Sequence, residues 1–251
     1  MRASISSIKL FKACRWAYQL KYIERLVPTQ KAEALETGTN YHAKLEQLYN
    51  TGDFDQDCSK ETAMAMAYKK YIYPQIQVRS AEDRFEYRIG KNILYGITDG
   101  LAEDGNVVEH KTTSLGSIDE YEYNLQWDEQ LMAYMLVTGA RTVYYTICRK
   151  PTIRQKAAES DDKFYKRMVE WYDEDTDDKI RLIEVTRTDA EIEAFRKSLN
   201  EVMTEMTYCV DYYKNTCHCN SWGRRCEYSG ICLSYKPGQE YVGFETWEVD
   251  R

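Results

Sequence analysis

The sequence has 251 residues, of which 43% are hydrophobic and 30% are charged, a composition typical of a globular protein with one sizeable core. No apolar stretch reaches the roughly 18 residues of a membrane span, and the opening MRASISSIKLFKACRWAY lacks the apolar core and cleavage site of a signal peptide. We therefore expect a protein of a reducing cytoplasm that has no membrane partner.

The net charge of −7 at first argues against a nucleic-acid partner, but the charge is unevenly distributed. Residues 1–31 contain seven Lys or Arg and one Glu, whereas residues 157–205 contain fifteen acids and eight bases. The basic segment also contains Trp16, Tyr18 and Tyr22, so it can contact a phosphate backbone and stack on bases. A solvated helix whose aromatic rings lie in the core explains the same pattern.

The first half of the chain is predicted to begin with helices and to continue with strands. Ser6 and Ser7 can cap a helix that runs to about Tyr22. Helical spacing predicts a second helix over 33–50 and a third over about 60–73. Three runs rich in Ile, Val and Tyr follow (RFEYRIG, NILYGITDG and NVVEHKTTS), and an Asp-Gly tight turn precedes the last.

The second half is predicted to alternate between helix and strand. A helix at about 121–138 ends at Gly139, and the strand RTVYYTIC follows. The acidic segment is predicted to hold a helix, and IRLIEVT a strand. Thr188 and Glu191 form a capping box that opens a long amphipathic helix before a loop-like, cysteine-rich tail. This order predicts an α/β fold with a mixed central sheet flanked by helices.

Three polar residues are predicted to meet at one end of the sheet. Strand alternation places Glu109 and Lys111 on the same face. If the Asp-Gly turn closes a hairpin, Asp99 lies opposite residue 110, with a register uncertain by about one residue. Two carboxylates this close repel each other unless a cation lies between them, and such oxygen ligands suit Mg²⁺ or Mn²⁺. Lys111 can hold or deprotonate an attacking water.

The eight cysteines indicate metal ligation or buried thiols, since disulfides are rare in a reducing compartment. The isolated Cys58, Cys148 and Cys209 are expected to be small buried hydrophobic residues. Four thiolates can bind Zn²⁺ or an iron–sulfur cluster, and the pair of C-x₂-C motifs of a zinc ribbon is missing. The candidate ligands are Cys14, Cys219, Cys226 and Cys232, with Cys217 as the alternative to Cys219.

The motifs around these residues resemble the PD-(D/E)xK nucleases, in the branch that contains RecB-type domains and CRISPR-associated adaptation nucleases. GITDG followed by VVEHK is similar to the catalytic signature, LETGTNYHAKLE to a helical G-x-x-x-H motif, QLMAY to a Q-x-x-x-Y motif, and SISSIKLFKACRWAYQLKYI to the opening segment. The resemblance extends from about residue 4 to 235. Residues 152–210 carry no motif, and Arg15 stands where the family often has proline.

This resemblance implies a restriction-endonuclease-like core and a metal-dependent DNA nuclease. We predict one nuclease domain over 1–251, with a cysteine-cluster lobe formed by about 1–31 together with 209–236. The implied roles are metal binding by His42, Asp99, Glu109 and the main chain of His110; activation or orientation of water by Lys111; support of Lys111 or the substrate by Gln130; and lining of the DNA path by Tyr134.

The resemblance also favours a [4Fe–4S] cluster over zinc, and Cys219 over Cys217 as its ligand. It implies an exonuclease that acts on single-stranded DNA in recombination, repair or phage DNA processing, in the cytoplasm of a bacterial, archaeal or phage-infected cell. Because the sequence contains no helicase motif, unwinding would come from a helicase or recombination partner. The alternative from another class is a non-catalytic iron–sulfur DNA-binding or scaffold module of a nuclease complex, which the intact Asp99, Glu109 and Lys111 argue against.

Overall fold

The computed structural model describes residues 1–30, 33–114, 117–221 and 224–247; residue 31, the predicted edge of the cysteine-cluster lobe, lies outside this range. The helices are α1 (Ile5–Ala13), α2 (Arg15–Tyr18), α3 (Glu33–Thr51), α4 (Lys60–Tyr71), α5 (Ile118–Asn124), α6 (Glu129–Thr138), α7 (Asp161–Glu170), α8 (Thr176–Lys179) and α9 (Asp189–Tyr208). The strands are β1 (Arg2–Ser4), β2 (Leu26–Pro28), β3 (Val78–Ala81), β4 (Arg84–Ile89), β5 (Asn92–Ile97), β6 (Gly100–Ala102), β7 (Val107–Thr113), β8 (Thr142–Arg149), β9 (Ile180–Thr186), β10 (Asn220–Ser221), β11 (Arg224–Arg225) and β12 (Phe244–Thr246).

The chain divides into two compact units. The first comprises residues 1–31, 86–95 and 196–251, and the second comprises 32–85 and 96–195. The first unit thus contains both segments of the predicted cysteine-cluster lobe. A single nuclease domain over the whole chain stays a prediction. None of the helices in the described ranges is long and apolar enough to cross a membrane.

The second unit is built on a five-stranded sheet in the order β3–β6–β7–β8–β9. β7 and β8 run parallel, with Lys111 beside Ile147, and the other neighbouring pairs run antiparallel. Helices cover both faces. Tyr41 of α3 and Tyr68 of α4 pack with Val108 on one face, and α5 and α6 pack on a second core that includes Val107. The predicted α/β class with a mixed sheet is confirmed.

Several predicted helix ends agree with the local chemistry. The main-chain N–H of Thr188 donates to Glu191 Oε2 at 2.8 Å, and the N–H of Glu191 donates to Thr188 Oγ1 at 3.3 Å, so the predicted capping box opens α9. Gly139 ends α6 with φ 78°, the left-handed conformation that glycine adopts readily. The α3 helix ends one residue beyond the predicted position.

Two predicted helices are interrupted. The first begins at Ile5 with Ser4 as its cap, in place of the predicted Ser6 or Ser7, because Ser4 Oγ accepts the N–H of Ser7. It breaks at Cys14, whose backbone is extended with φ −159°. The helix predicted over 121–138 is broken at Asp128, whose carboxylate accepts the N–H of Gln130 at 2.8 Å and so starts α6.

The first unit joins the two ends of the chain in one small core. Cys14 and Leu20 pack there with Tyr228 and Ile231 of the tail. The Tyr228 hydroxyl donates to the carbonyl of Leu26 at 2.8 Å, and strands β2 and β12 pair antiparallel. A second sheet has the order β1–β5–β4, in which β1 and β5 run parallel.

Candidate active site

Strand β7 carries two of the predicted catalytic side chains. Glu109 and Lys111 are two residues apart and therefore project from the same face of the strand. The Glu109 side chain is only 1% exposed, and Lys111 Nζ donates to its Oε1. A buried carboxylate is stable only with such donors, so this ion pair holds Glu109 in the protein interior.

Asp99 lies beside Glu109 because of the pairing between β6 and β7. Gly100 pairs with Val108 and Leu101 with Val107, so the continued register brings Asp99 next to residue 109. The sequence predicted residue 110 as the partner of Asp99, with a register uncertain by about one residue, so the observed pairing lies within that uncertainty. The main-chain N–H of His110 donates to Asp99 Oδ2 at 2.8 Å, which fixes the carboxylate against β7.

The imidazole of His42 reaches the same carboxylate from helix α3. Its Nδ1 lies 3.3 Å from Asp99 Oδ1. Burial lowers the pKa of His42, but the hydrogen bond to Asp99 and the charges of Asp99 and Glu109 outweigh burial and raise the pKa overall. The structure therefore brings together His42, Asp99, Glu109 and Lys111, the first and last of which are 69 residues apart in the sequence.

Helix α6 adds Gln130 and Tyr134 to this group. Gln130 Nε2 donates to Glu109 Oε1 at 3.0 Å, and Lys111 Nζ lies 3.4 Å from Gln130 Oε1. Gln130 Nε2 also donates to the Tyr134 hydroxyl at 2.6 Å, and that hydroxyl donates to the carbonyl of Ile97 at 3.2 Å. Gln130 thus contacts both Glu109 and Lys111 of β7, which is consistent with the predicted support of Lys111.

The placement of Tyr134 bears on its predicted role of lining the DNA path, which stays a prediction. Tyr134 is only 3% exposed and packs in the core between α6 and the sheet, so its ring presents no face to DNA in this structure. Gln130 and Tyr134 are four residues apart and so lie on the same face of the helix, a spacing that is also common for residues that pack in a core. The Tyr134 ring packs in the core here. Its hydroxyl instead links Gln130 to the end of β5.

His110 points to the opposite face of β7, as strand alternation predicts. Its buried ring is hydrogen-bonded at both nitrogens, with Nδ1 2.6 Å from Thr146 Oγ1 and Nε2 2.8 Å from the Tyr49 hydroxyl. Burial lowers the pKa of His110 to about 3, so the ring is neutral at pH 7. Metal binding by its main-chain carbonyl stays a prediction.

The pKa values of the two carboxylates are shifted in opposite directions. Burial raises the pKa of Asp99, but His42, His110 and Lys111 outweigh burial and hold the pKa well below its ordinary value. Burial raises the pKa of Glu109, and the nearby negative charge of Asp99 raises it further. Burial lowers the pKa of Lys111, but Glu109 and Asp99 outweigh burial, so Lys111 is an ammonium ion.

The chemistry of this group fits a divalent cation, although the side chains are not arranged as a finished metal site. Glu109 Oε2 is buried and has no hydrogen-bond partner within the described part of the chain. A buried carboxylate oxygen without a donor is costly, and a cation would satisfy it. In the ranges that the structure describes, no three His, Cys, Asp or Glu side chains are grouped so that they could hold a metal ion.

Of the cysteines of the first unit, Cys14, Cys219, Cys226 and Cys232 are free thiols. Cys14 Sγ accepts the main-chain N–H of Asn215 at 3.4 Å, and the N–H of Cys226 donates to the carbonyl of Cys219 at 3.0 Å. Burial raises the pKa of Cys226 and of Cys232, and in both cases Cys14 and Cys219 add to the shift. These are neighbouring thiols, and an iron–sulfur cluster is not shown.

Of the three isolated cysteines, only Cys148 is buried as expected. Cys58 is exposed, and its thiol lies 3.2 Å from Asp162 Oδ1. Cys209 is partly exposed. The interpretation of all three as buried hydrophobic residues was wrong for Cys58, whose loop between α3 and α4 lies at the surface, and for Cys209, which is only partly buried.

Sequence reasoning missed the residues that support the site from behind. Thr146 and Tyr49 hold the His110 ring, and neither belongs to a recognisable motif. Asp128 could have been found, since an acid two residues before Gln130 is a helix-capping signal. Gly96 is needed for space, because a Cβ there would lie 2.7 Å from the Phe85 ring.

Comparison with known proteins places this arrangement in a family. The model of the PD-(D/E)XK nuclease superfamily matches residues 2–91 and 62–233. The comparison with curated proteins found no match. Among solved structures, a candidate exonuclease from Eubacterium rectale has 10% identity and a TM-score of 0.50, with 92% of each chain covered. This likeness shows the fold.

Two further exonuclease structures are similar over most of their length. The phage-related exonuclease from Haemophilus somnus 129PT has 14% identity and a TM-score of 0.34, and covers 77% of this chain and 96% of its own. The alkaline exonuclease from Laribacter hongkongensis has 16% identity and a TM-score of 0.35, and the match covers 82% of this chain and 90% of the exonuclease. Because the family model matches nearly the whole length, the chain belongs to the PD-(D/E)XK nuclease superfamily.

Proposed function

We propose that this protein is a Mg²⁺- or Mn²⁺-dependent deoxyribonuclease that degrades single-stranded DNA from an end. The observation that carries the proposal is the environment of Glu109. One oxygen of this buried carboxylate accepts hydrogen bonds from Lys111 and Gln130, and the other has no partner among the described residues. The ion pair of Asp99 and His42 lies beside it. Family membership supports the same conclusion.

The proposed metal ligands are His42, Asp99, Glu109 and the main-chain carbonyl of His110. A bound divalent cation would polarise the phosphate and lower the pKa of a bound water. The pKa of Asp99 is lowered, so Asp99 is ionised, and a bound cation would favour the ionised form of Glu109, whose pKa burial and Asp99 raise. A shift of Glu109 or His42 toward the ion would complete the coordination.

Lys111 and Gln130 have proposed roles around the reacting phosphate. Water supplies the oxygen that bonds to phosphorus, and the ester oxygen leaves with a proton as its bond to phosphorus breaks. Because Lys111 carries its proton, we assign it to orienting the water and offsetting negative charge, in preference to deprotonating the water. Gln130 holds Lys111 and Glu109 in position.

The form of the substrate and the setting belong to the proposal as well. The structure from Eubacterium rectale, which has a similar fold, is named as a candidate exonuclease, and we extend that mode of cleavage to this chain. Single-stranded DNA as substrate, a cytoplasmic place in recombination, repair or phage DNA processing, and a helicase or recombination partner follow from the resemblance of the motifs.

We propose further that Cys14, Cys219, Cys226 and Cys232 bind a [4Fe–4S] cluster. The support is that these thiols are free and close enough to perturb one another, and that soft thiolates in fours suit iron–sulfur or zinc. Cys219 is preferred to Cys217 because the interval from Cys219 to Cys226 resembles the spacing of the family more closely. The cluster would tie together segments some two hundred residues apart and would be structural.

Metal analysis of anaerobically purified protein tests the cluster. We expect iron and sulfide in equal amounts with brown visible absorption, and loss of both in Cys232→Ser but not in Cys58→Ser, which changes an exposed thiol outside the group. Zinc without iron would contradict the iron–sulfur assignment and leave the nuclease proposal intact.

Digestion of end-labelled DNA tests the nuclease activity. After treatment with EDTA, the protein should be inactive, and Mn²⁺ or Mg²⁺ should restore degradation of linear single-stranded DNA. Circular single-stranded DNA should persist, because it has no end. Cleavage of the circle would contradict the exonuclease mode, and inactivity on every DNA with added metal would favour the second candidate, a non-catalytic DNA-binding or scaffold module.

A further inference from the structure

Two aromatic side chains stand exposed on the segment that leads into the candidate site. Tyr123 is 65% exposed and Trp127 is 61% exposed. Their ring centroids are 5.1 Å apart, with an interplanar angle of 76°. Large aromatic rings are usually buried or placed at binding surfaces, because their exposure leaves much apolar area in water. We call this pair the aromatic platform.

The platform is connected to the catalytic group by three residues. Trp127 ends the 3₁₀ turn Leu125–Trp127, Asp128 caps α6, and Gln130 contacts Glu109. Three residues span at most about 11 Å of chain, so the backbone of Trp127 lies within that distance of the backbone of Gln130. A strand with one phosphate at Glu109 and Lys111 therefore has neighbouring nucleotides within reach of the platform.

The backbone under the rings is held firmly. Ser117 caps α5 by accepting the N–H of Glu120 at 3.2 Å, and Ile118 and Leu125 are buried in the core. Arg187 Nη2 donates to the carbonyl of Leu125 at 2.8 Å. The exposure of the two rings thus arises on an ordered segment, and ordered aromatic rings bind at a lower entropic cost than mobile ones.

The local charge argues for stacking over phosphate binding. Acidic side chains lie on the same helix, and two of them, Asp119 and Glu122, are held by Arg181 at 2.7 and 3.0 Å. Arg181 thus offsets the charge of these two acids, and contact between an aromatic ring and the π-face of a base needs no charge. An interior base of a duplex has both faces covered by its neighbours, whereas an unpaired base has faces free to stack on such a platform.

We propose that Tyr123 and Trp127 form a stacking platform for an unpaired nucleobase next to the nucleotide that is cleaved. This inference rests on the proposed nuclease function and adds a contact to a base of the single-stranded substrate. Both rings are exposed, whereas the ring of Tyr134 is buried.

Equilibrium binding to the full-length protein tests the platform without cleavage. A fluorescently labelled single-stranded oligonucleotide is titrated in EDTA, and its anisotropy gives Kd. Stacking is worth enough that Trp127→Ala should weaken binding roughly 5- to 150-fold, whereas Trp127→Phe, which keeps a ring, should stay close to wild type. Tyr208→Ala removes another exposed aromatic ring, 75% exposed, and should change Kd by less than about twofold.

Two further measurements separate stacking from other causes. The slope of log Kd against log salt should be the same in Trp127→Ala and wild type, because no phosphate contact is lost. An oligonucleotide with one abasic position at the platform should bind wild type more weakly but should bind Trp127→Ala no worse than the intact oligonucleotide does.

The outcomes distinguish this inference from the proposed function. If wild type degrades single-stranded DNA in Mn²⁺ while Trp127→Ala binds as tightly as wild type, the platform is wrong and the nuclease stands. A reduced salt slope in Trp127→Ala would also overturn stacking. If wild type neither binds nor degrades the DNA, both proposals fail.

Discussion

The side-chain amide of Gln130 donates a hydrogen bond of 3.0 Å to Oε1 of Glu109, the same oxygen that accepts from Lys111. Gln130 Oε1 lies 3.4 Å from Lys111 Nζ, so the three side chains form a closed triangle between α6 and β7. Gln130 therefore fixes the orientation of both proposed catalytic residues without providing an anionic ligand.

Gln130→Ala should lower the rate of DNA cleavage about 10- to 100-fold, because groups that orient metal ligands typically contribute that much. The Mn²⁺ concentration needed for half-maximal rate should rise as well. Initial rates on labelled single-stranded DNA across a metal titration measure both effects. Gln75→Ala changes an exposed glutamine of the same unit and should leave them unaltered. A wild-type metal dependence in Gln130→Ala would show that the triangle has no role in metal binding.

Tyr134→Phe should affect stability more than DNA binding. The change removes a hydroxyl that bonds Gln130 and the carbonyl of Ile97, which typically costs about 1 kcal/mol of unfolding free energy. Because the ring is buried, the affinity for single-stranded DNA should stay within about twofold of wild type. Urea denaturation and anisotropy measure the two quantities. A large loss of affinity with unchanged stability would indicate that Tyr134 contacts DNA.

Thr146→Val should destabilise the protein, because it leaves Nδ1 of the buried His110 ring without its partner at 2.6 Å. An unsatisfied buried polar group costs about 1–3 kcal/mol. Thr142→Val, at a partly exposed position of the same strand, is the matched control and should cost less than about 0.5 kcal/mol. Equal effects of the two substitutions in chemical denaturation would mean that the His110 hydrogen bond contributes nothing measurable.

Asp57 should make stability depend on pH in the acid range. Burial raises its pKa, but hydrogen bonds from Ser59 and Thr62 outweigh burial and lower the pKa to about 2, from an ordinary value of 3.8. Because the folded pKa is below the unfolded one, the ionised carboxylate stabilises the fold above about pH 4, and this contribution is lost as the pH falls toward 2.

The Asp57→Asn variant should accordingly be less stable than wild type at pH 7, with the difference shrinking toward pH 2. The side chain is 57% exposed, so solvent screening limits the difference to roughly 0.5 kcal/mol. Thermal unfolding over a pH series measures it, with Asp211→Asn as the control. A stability difference between the two proteins that grows as the pH falls would contradict a lowered pKa of Asp57 in the folded state.

Local sequence signals predicted the parts of the fold that depend on nearby residues. The Thr188–Glu191 capping box and Gly139 mark helix ends through contacts within a few residues. Strand alternation placed Glu109 and Lys111 together and turned His110 away. The β6–β7 turn was close enough in sequence to bring Asp99 to Glu109 within one residue of the expected register.

The features that sequence did not predict depend on distant contacts. The break at Cys14 accompanies a bond from the main chain of Asn215, 201 residues away, which no local pattern reveals. The burial of Tyr134 follows from packing between α6 and the sheet. Thr146 and Tyr49 meet His110 only once β8 and α3 are folded against β7.

The most direct test of the central claim compares wild type with Lys111→Ala in the degradation of end-labelled single-stranded DNA with Mn²⁺. We expect wild type to degrade the DNA and Lys111→Ala to do so about 10²- to 10³-fold more slowly at similar thermal stability, because a cation aimed at the phosphate is lost. Equal rates in the two proteins would contradict hydrolysis at the Asp99, Glu109 and Lys111 site.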